Sequence, residues 1–425
     1  MGRDRSVGQS LTAPRRVLIV AQSFGVGGME AHAVDLAMEL ARRGSDVRLV
    51  LPTSPEYDAL AHAASQGKVR LWRLDTISWH GRPAQAKAHA ALARHLMRWR
   101  PDVVHVHTGT TTGGLTVVLL ARLVTSAVVV LTEHDVPSPV PSLHQIVTRA
   151  MIDWSVDALI AVSRRNARLR TRRLPVRTPH FASVLNGVPI PEVDPAAAAD
   201  DSLEVRRELG IPQEAVVVGC LVRLAEGKGL TTLLRAFAML PPSPETRLLL
   251  VGDGPLRPEL ERLAVELAID GRVVFAGYRP QPTPYLNAMD IFALAVPAGS
   301  MSIALLEAMA RGIPAVITFG GPEEPVVHGL TGLEAPPNDP EGLAVAIARL
   351  VEDRPMAAAI GAAAAAHVRR HFSVQRLGDD LLEVYGIRTT RVLAERLRAD
   401  SQPARIDGLG GQAPARAEAW SGLAD

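Results

Sequence analysis

The sequence predicts an α/β protein built from two doubly wound parallel sheets that face one another. Three observations predict it. Short Val/Ile/Leu runs alternate with Ala/Leu/Arg-rich helical stretches along most of the chain. Those runs are apolar without alternation, as strands buried on both faces are. The pattern breaks at residues 186–201 (NGVPIPEVDPAAAADD), where three prolines and an acidic end read as an interdomain linker. A length of 425 residues fits two or three domains, at about 100–200 residues per domain.

Taken in order, the first-half strands are expected at Val17–Ala21, Val47–Leu51, Val69–Leu74, Val103–Val106, Val128–Leu131, Ala158–Val162 and Ala182–Leu185. A glycine-rich loop after the first strand runs into a helix over Ala31–Arg43. Ser202 is placed to cap the first helix beyond the linker. The second series is Val216–Val222, Arg247–Val251, Arg272–Ala276, Ile291–Ala295 and Ala315–Thr318. The expected division is an extension over 1–14, a first domain over 15–190, a linker over 191–201 and a second domain over 202–372. An amphipathic helix over 373–397 and a disordered tail over 398–425, rich in Pro, Gly, Ala and Gln, complete it.

Composition narrows the function classes. The 46 basic and 44 acidic residues nearly balance, which argues against nucleic acid as the main partner. Only three of the basic residues are lysines (Lys68, Lys87 and Lys228). A single cysteine, Cys220, excludes a disulfide framework and a multi-cysteine metal cluster, and points to a reducing compartment. No apolar run reaches the length of about 18 residues that a membrane span needs. The nearest, Leu115 to Leu131, is interrupted by Arg122. The expected location is the cytoplasm, with the inner face of a membrane as an alternative.

Several loops carry candidate chemistry. In Gly25-Val26-Gly27-Gly28-Met29-Glu30 the glycines let backbone approach a ligand, and the helix start behind them favours negative charge. The dinucleotide fingerprint is absent, since no third glycine and no acidic partner follow at the required places. Val251-Gly252-Asp253-Gly254-Pro255 repeats the strand, tight turn and helix order. Taken alone, each loop is equally an ordinary turn. Arg223 and Lys228, the latter between Gly227 and Gly229, join an Arg fork, a compact ammonium and a helix start, a set that suits a diphosphate. Glu307 is a lone carboxylate in an apolar helix, so it either accepts hydrogen bonds from sugar hydroxyls or stands partly exposed. His105 and His107 share a strand face. No Asp-x-Asp pair occurs, and no supporting carboxylate or cysteine sits at local spacing, so no metal site is expected. His134 follows another strand and is placed to reach a cleft. Between Arg164 and Arg177, seven of fourteen residues are Arg. That run is either a solvated helix face or a patch for anionic lipid.

In their order and spacing these pieces resemble the retaining, nucleotide-sugar-dependent glycosyltransferases of family 4, with the GT-B fold, over residues 15–390. The residues that carry the resemblance are Gly27-Gly28-Met29-Glu30, the strand Asp102 to His107, Thr132-Glu133-His134-Asp135, Ala161-Val162-Ser163 and Asn186-Gly187-Val188-Pro189. In the second half they are Arg223-Leu224 with Lys228-Gly229, Gly252-Asp253-Gly254-Pro255, Leu306-Glu307-Ala308-Met309-Ala310 and His328 to Gly332. The resemblance implies two facing Rossmann-like domains with a cleft between them. It implies that Arg223 and Lys228 hold the diphosphate of a UDP- or GDP-sugar and stabilise the leaving group, and that Glu307 binds the ribose. It also implies phosphate contacts from backbone amides near Ser302 and Ile303, from Gly27 and Gly28, and a donor-side position for Gly252. His134 would contact the transferred sugar. No metal or other cofactor is implied, the acceptor is a glycan or a lipid-linked glycan, and the C-terminal helix crosses back to the first domain.

One departure stands out. The family places a second Glu eight residues before Glu307, and here that position is Gly299, followed by Ser300, which could replace its hydrogen bonds in part. Two expectations follow. One is an active envelope polysaccharide or glycolipid glycosyltransferase. The other is a weak or silent nucleotide-binding partner subunit.

Overall fold

The computed structural model describes residues 14–22, 25–74, 82–110, 112–135, 140–174, 178, 180–192, 194–241, 245–299, 301–320 and 324–386. The first half runs β1 (Arg16–Gln22), α1 (Gly28–Arg42), β2 (Asp46–Leu51), α2 (Asp58–Gln66), β3 (Arg70–Arg73), α3 (Arg82–Trp99) and β4 (Val103–Thr108). It continues through α4 (Leu115–Val124), β5 (Val128–Glu133), α5 (Leu143–Ser155), β6 (Ala158–Ala161), α6 (Arg164–Arg173) and β7 (Phe181–Ser183). The second half comprises α7 (Pro195–Glu208), β8 (Val216–Leu221), α8 (Leu230–Ala238), β9 (Thr246–Val251), α9 (Arg257–Glu266), β10 (Val273–Gly277) and α10 (Thr283–Asn287). Then come β11 (Ile291–Leu294), α11 (Ile303–Ala310), β12 (Ala315–Thr318), β13 (Leu333–Ala335), α12 (Pro340–Glu352), α13 (Arg354–His371) and α14 (Val374–Tyr385).

The strands form two all-parallel sheets, one ordered β3-β2-β1-β4-β5-β6-β7 and the other β10-β9-β8-β11-β12-β13. The expected fold class is met. Val17, Leu18, Ile19 and Val20 are wholly inside, as are Val217 and Val218 in the second sheet, because helices cover both faces. The helices earn their places by spacing: α8 buries Leu230, Leu233, Leu234 and Phe237, one 3.6-residue stripe. Strand order reverses between β1 and β4 in one sheet and between β8 and β11 in the other. In open α/β sheets ligands bind beyond the carboxyl ends of strands at such reversals. All the loops singled out from the sequence follow those strands or their neighbours.

Three elements differ from expectation. The linker expected over 191–201 is interrupted by α7, which starts at Pro195. Asp194 accepts a hydrogen bond from the Ala196 amide at 3.0 Å, and a first-turn proline followed by alanines is a strong helix start. Ser202 therefore lies inside that helix and caps nothing. Strand β13 was not expected, since three buried residues at a sheet edge carry too little periodicity to read.

α14 packs on α1, burying Val374, Leu377, Leu381, Val384 and Tyr385. Arg43, which caps the C-terminal end of α1, meets Asp379 at 2.5 Å and donates to the Gln375 carbonyl at 2.6 Å. Arg376 donates to the Leu185 and Asn186 carbonyls at 2.5 and 3.0 Å. The rest of the expected C-terminal helix, and the tail, lie outside the described residues. Among those residues, no helix is long and apolar enough to cross a membrane.

Candidate functional site

The first wall of the site is made of imidazoles. β4 carries His105 and His107 inward, β5 ends beside His134, and α1 supplies His32; all four are buried. The His107 Nδ1 and His134 Nε2 atoms lie 3.0 Å apart and share a proton. His105 bonds Tyr385 through Nδ1 at 2.8 Å and Thr132 through Nε2 at 2.7 Å. His32 stacks its ring 5.1 Å from that of His134 and 5.6 Å from that of His107. Burial holds these imidazoles below their usual range, His32 at about 4 and His105 at about 3, with His107 and His134 also well below it. They are therefore neutral near pH 7.

His32, His107 and His134 bring three ligating nitrogens within 4.8 Å of one another. This group could hold a metal ion, and local spacing could not reveal it because its third member comes from α1. Two nitrogens in it, His32 Nδ1 and His107 Nε2, are buried without partners. Beneath His134, Glu133 pairs with Arg149 at 2.5 Å and with Arg170 at 3.4 Å, while Arg170 also grips Asp153 at 2.9 Å. That buried quartet anchors the end of β5 to α5 and α6.

The second wall is cationic. Arg223 is exposed on the loop after β8, and a Cβ on Gly25 would sit 3.6 Å from its Nη1, so the guanidinium stands against the first glycine loop. Lys228 is half-buried near Cys220, whose thiol is pushed up to about 12 by burial, with Lys228 acting the other way. Gly229 must be glycine: φ is +68°, and a Cβ would fall 1.8 Å from the Ala295 carbonyl oxygen. Gly252 is constrained similarly, at φ +131° and 2.0 Å from the Val222 carbonyl oxygen. Its glycine is thus explained by the close approach of the β8 and β9 ends. The Ser302 hydroxyl caps α11 by accepting from the Leu305 amide at 3.2 Å, which leaves the first backbone amides of the helix to face the gap.

The two walls touch at several points. Gly28, the first residue of α1, packs on Ile303, where a Cβ would come within 3.2 Å of its side chain. Gly27 is the helix cap, its amide donating to Glu30 Oε2 at 2.7 Å. The helix therefore starts three residues earlier than Ala31. The Asn186 side-chain amide donates to the Met301 carbonyl at 3.3 Å. Arg165 spans the gap twice, Nη1 donating to the Gly299 carbonyl and its backbone amide to Glu324 Oε1, both at 2.9 Å. Glu307 of α11 is pushed up by burial, with Arg311 opposing. Asp35 of α1 is raised to about 8 by burial and then by Glu307, a coupling of carboxyls from opposite halves.

Gly299 differs from the other glycines. Its backbone is not left-handed, and among the described residues an added Cβ would meet the Val296 side chain, whose Cγ1 at 3.1 Å would have to give way slightly. No left-handed conformation or backbone atom demands glycine here. Ser300, expected to stand in for the missing carboxylate, lies outside the described residues.

The Arg164–Arg177 run is not one surface patch. Arg170 is buried in the quartet and Arg165 bridges the halves, while Arg164, Arg168 and Arg172 are exposed. Arg177 lies outside the described residues. Composition cannot distinguish a core arginine from a solvated one. Sequence reading also missed His32, Asp35, Arg376 and Tyr385, and it gave Arg165 no role beyond the arginine run and Glu324 none beyond its place after the glycine pair. These roles depend on contacts far apart in sequence.

Comparison with known proteins places these features in a family. Residues 26–190 match the family described as Glycosyltransferase Family 4, and residues 215–353 match that described as Glycosyl transferases group 1. The chain is 38% identical over 149 residues to a lipopolysaccharide core biosynthesis glycosyltransferase, LpsE, of Rhizobium meliloti, covering 35% of this chain and 43% of that one. It is 30% identical over 217 residues to a GDP-mannose-dependent monoacylated α-(1-6)-phosphatidylinositol monomannoside mannosyltransferase of Corynebacterium glutamicum, covering 48% and 56%. These matches span about half the length of the curated relatives. The crystal structure of Anabaena HepE in complex with UDP and glucose superposes with a TM-score of 0.75 over 89% of this chain and all of that one, at 23% identity. That likeness is one of fold, and with the two matched families it gives the conclusion: the chain belongs to the family 4, group 1 glycosyltransferases of the GT-B fold.

Proposed function

We propose that the protein is a retaining glycosyltransferase that moves a sugar from a UDP- or GDP-sugar to a glycan or lipid-linked acceptor in envelope polysaccharide or glycolipid synthesis. The observation that carries this reading is the approach of Arg223 and the α11 start to the glycine loop of the opposite half, at the two strand-order reversals. A diphosphate there meets Arg223, the Lys228 ammonium and helix amides together. As the bond from the anomeric carbon to the diphosphate oxygen breaks, these groups take up the growing negative charge. Glu307 accepts from the ribose hydroxyls, and neutral His134 offers a hydrogen bond to the departing sugar. No residue in this scheme requires a metal. The names of the relatives support it: LpsE acts in lipopolysaccharide core synthesis, the mannosyltransferase is GDP-mannose-dependent and acts on a phosphatidylinositol monomannoside, and HepE binds UDP.

Gly299 favours a second reading, a nucleotide-binding partner subunit with little turnover. Turnover of a panel of UDP- and GDP-sugars, by wild type, Lys228→Ala and Gly299→Glu, separates the two. The transferase reading expects one donor to be consumed by wild type and Lys228→Ala to fall far behind. Nucleotide binding without turnover in wild type, with activity gained in Gly299→Glu, would establish the second reading instead.

A further inference from the structure

α5 is built inside out. Its buried residues are Thr148, Arg149, Ile152 and Asp153, three of them polar, with Arg149 and Asp153 belonging to the ion quartet beneath His134. Its solvent side is the apolar one. Leu143, Val147, Met151 and Trp154 lie on a single helical stripe, and are 76%, 51%, 42% and 68% exposed. An ordinary surface helix has the opposite arrangement. The stripe also has apolar company. α4 packs beside α5 and α3 beside α4; α4 exposes Leu123 at 80% and α3 exposes Met97 at 49%. An exposed apolar face of this extent marks a binding surface.

The charge around the face identifies its occupant. Across α3, α4 and α5 the only acidic residue is Asp153, which is buried and paired with Arg170. Among the described side chains of α3, the exposed charged ones are Lys87, Arg94 and Arg98, all basic. Aromatic and aliphatic side chains with a cationic border, and no exposed acid among them, match the interface of an anionic bilayer. A second copy of this chain would set cation against cation across a twofold axis.

We propose that the outer face of α3, α4 and α5 docks on an anionic phospholipid membrane, the α5 stripe entering the headgroup region and the α3 cations meeting lipid phosphates. The docking surface is then this face and not the arginine run of α6. The proposal rests on the transferase reading only in giving its lipid-linked acceptor a surface on which to be met.

The test is flotation of the full chain with vesicles of phosphatidylcholine alone and of phosphatidylcholine rich in phosphatidylglycerol. Wild type is expected to float with the anionic vesicles and to be released by high salt. The triple variant Val147→Ser, Met151→Ser, Trp154→Ser should bind about tenfold or more weakly, and Arg94→Gln with Arg98→Gln should also bind more weakly. Arg164→Gln with Arg168→Gln should float like wild type. These are surface changes, and unaltered melting confirms a folded protein. The proposal is overturned if wild type floats with neither vesicle, or if the triple variant floats undiminished. It is overturned too if wild type is a lipid-free dimer that the triple variant splits, since the stripe then belongs to a second copy. Donor turnover is read separately: a wild type that floats but consumes no donor sinks the transferase reading and leaves the docking face standing.

Discussion

The two walls of the site solve different problems. The first-half wall is buried, neutral and hydrogen-bonded through His105, His107, Thr132 and His134. The second-half wall offers an exposed arginine, a half-buried lysine and a helix start, held by glycines that tolerate no side chain. Buried polar clusters in low dielectric fix geometry, whereas exposed cations supply charge to an incoming anion without needing tight packing. On the proposed function, position is thus set by one wall and electrostatics by the other. Damage to them should look different in the laboratory.

The comparison breaks most visibly if Lys228→Ala behaves like a folding mutant. The expected result is a loss of donor turnover of about 10²–10³-fold, as when a single transition-state charge contact is removed, with the melting temperature unchanged. His107→Ala should do the reverse in emphasis. It leaves a cavity and strips His134 of its partner at 3.0 Å, so a stability loss of about 2 kcal/mol by denaturant unfolding is expected, with a smaller effect on nucleotide affinity. An unchanged unfolding midpoint would show that the imidazole cluster contributes no rigidity.

pH sharpens the contrast further. The folded histidines are held below their unfolded values, so the stability they represent is complete above about 6.5 and is lost as pH falls toward their folded values. Asp35 works at the other end. Its folded value is raised to about 8, so its contribution is complete below the usual carboxyl range and drains away as pH rises through 8. Asp35→Asn should flatten that alkaline limb, by about 1 kcal/mol or more, while leaving the acid limb in place. Melting curves across pH for both proteins test it, and an unaltered alkaline limb would count against the raised titration of buried Asp35.

How far the sequence foretold this depends on range. Strand runs and helix stripes are local patterns, so twelve of the thirteen strands among the described residues were legible and only the three-residue β13 was not. The glycine loops and the Arg223–Lys228 pair were legible for the same reason, each being contiguous. His32 could not be tied to His107 and His134, because nothing in a helix 75 residues before β4 announces that it packs over that strand. Arg170 was read with its neighbours because a charge run does not say which member turns inward. The alanines after Asp194 are helical because a capping aspartate and a first-turn proline start a helix there, a local signal that the proline-rich, acidic composition masks. Gly299 is the converse case: the sequence marked it as a departure, and the backbone adds that no left-handed conformation put a glycine there.

α14 has a consequence for how the protein is made. Its Tyr385 reaches His105, and its Arg376 holds the carbonyls that end the first half at Leu185 and Asn186. During synthesis the opening 190 residues leave the ribosome long before those partners exist. The first sheet must wait, with His105 lacking its tyrosine, until almost the whole chain has been translated. Truncation ahead of Val374 would make that interim state permanent. A shortened protein should thus betray its missing end in the half farthest from it along the chain.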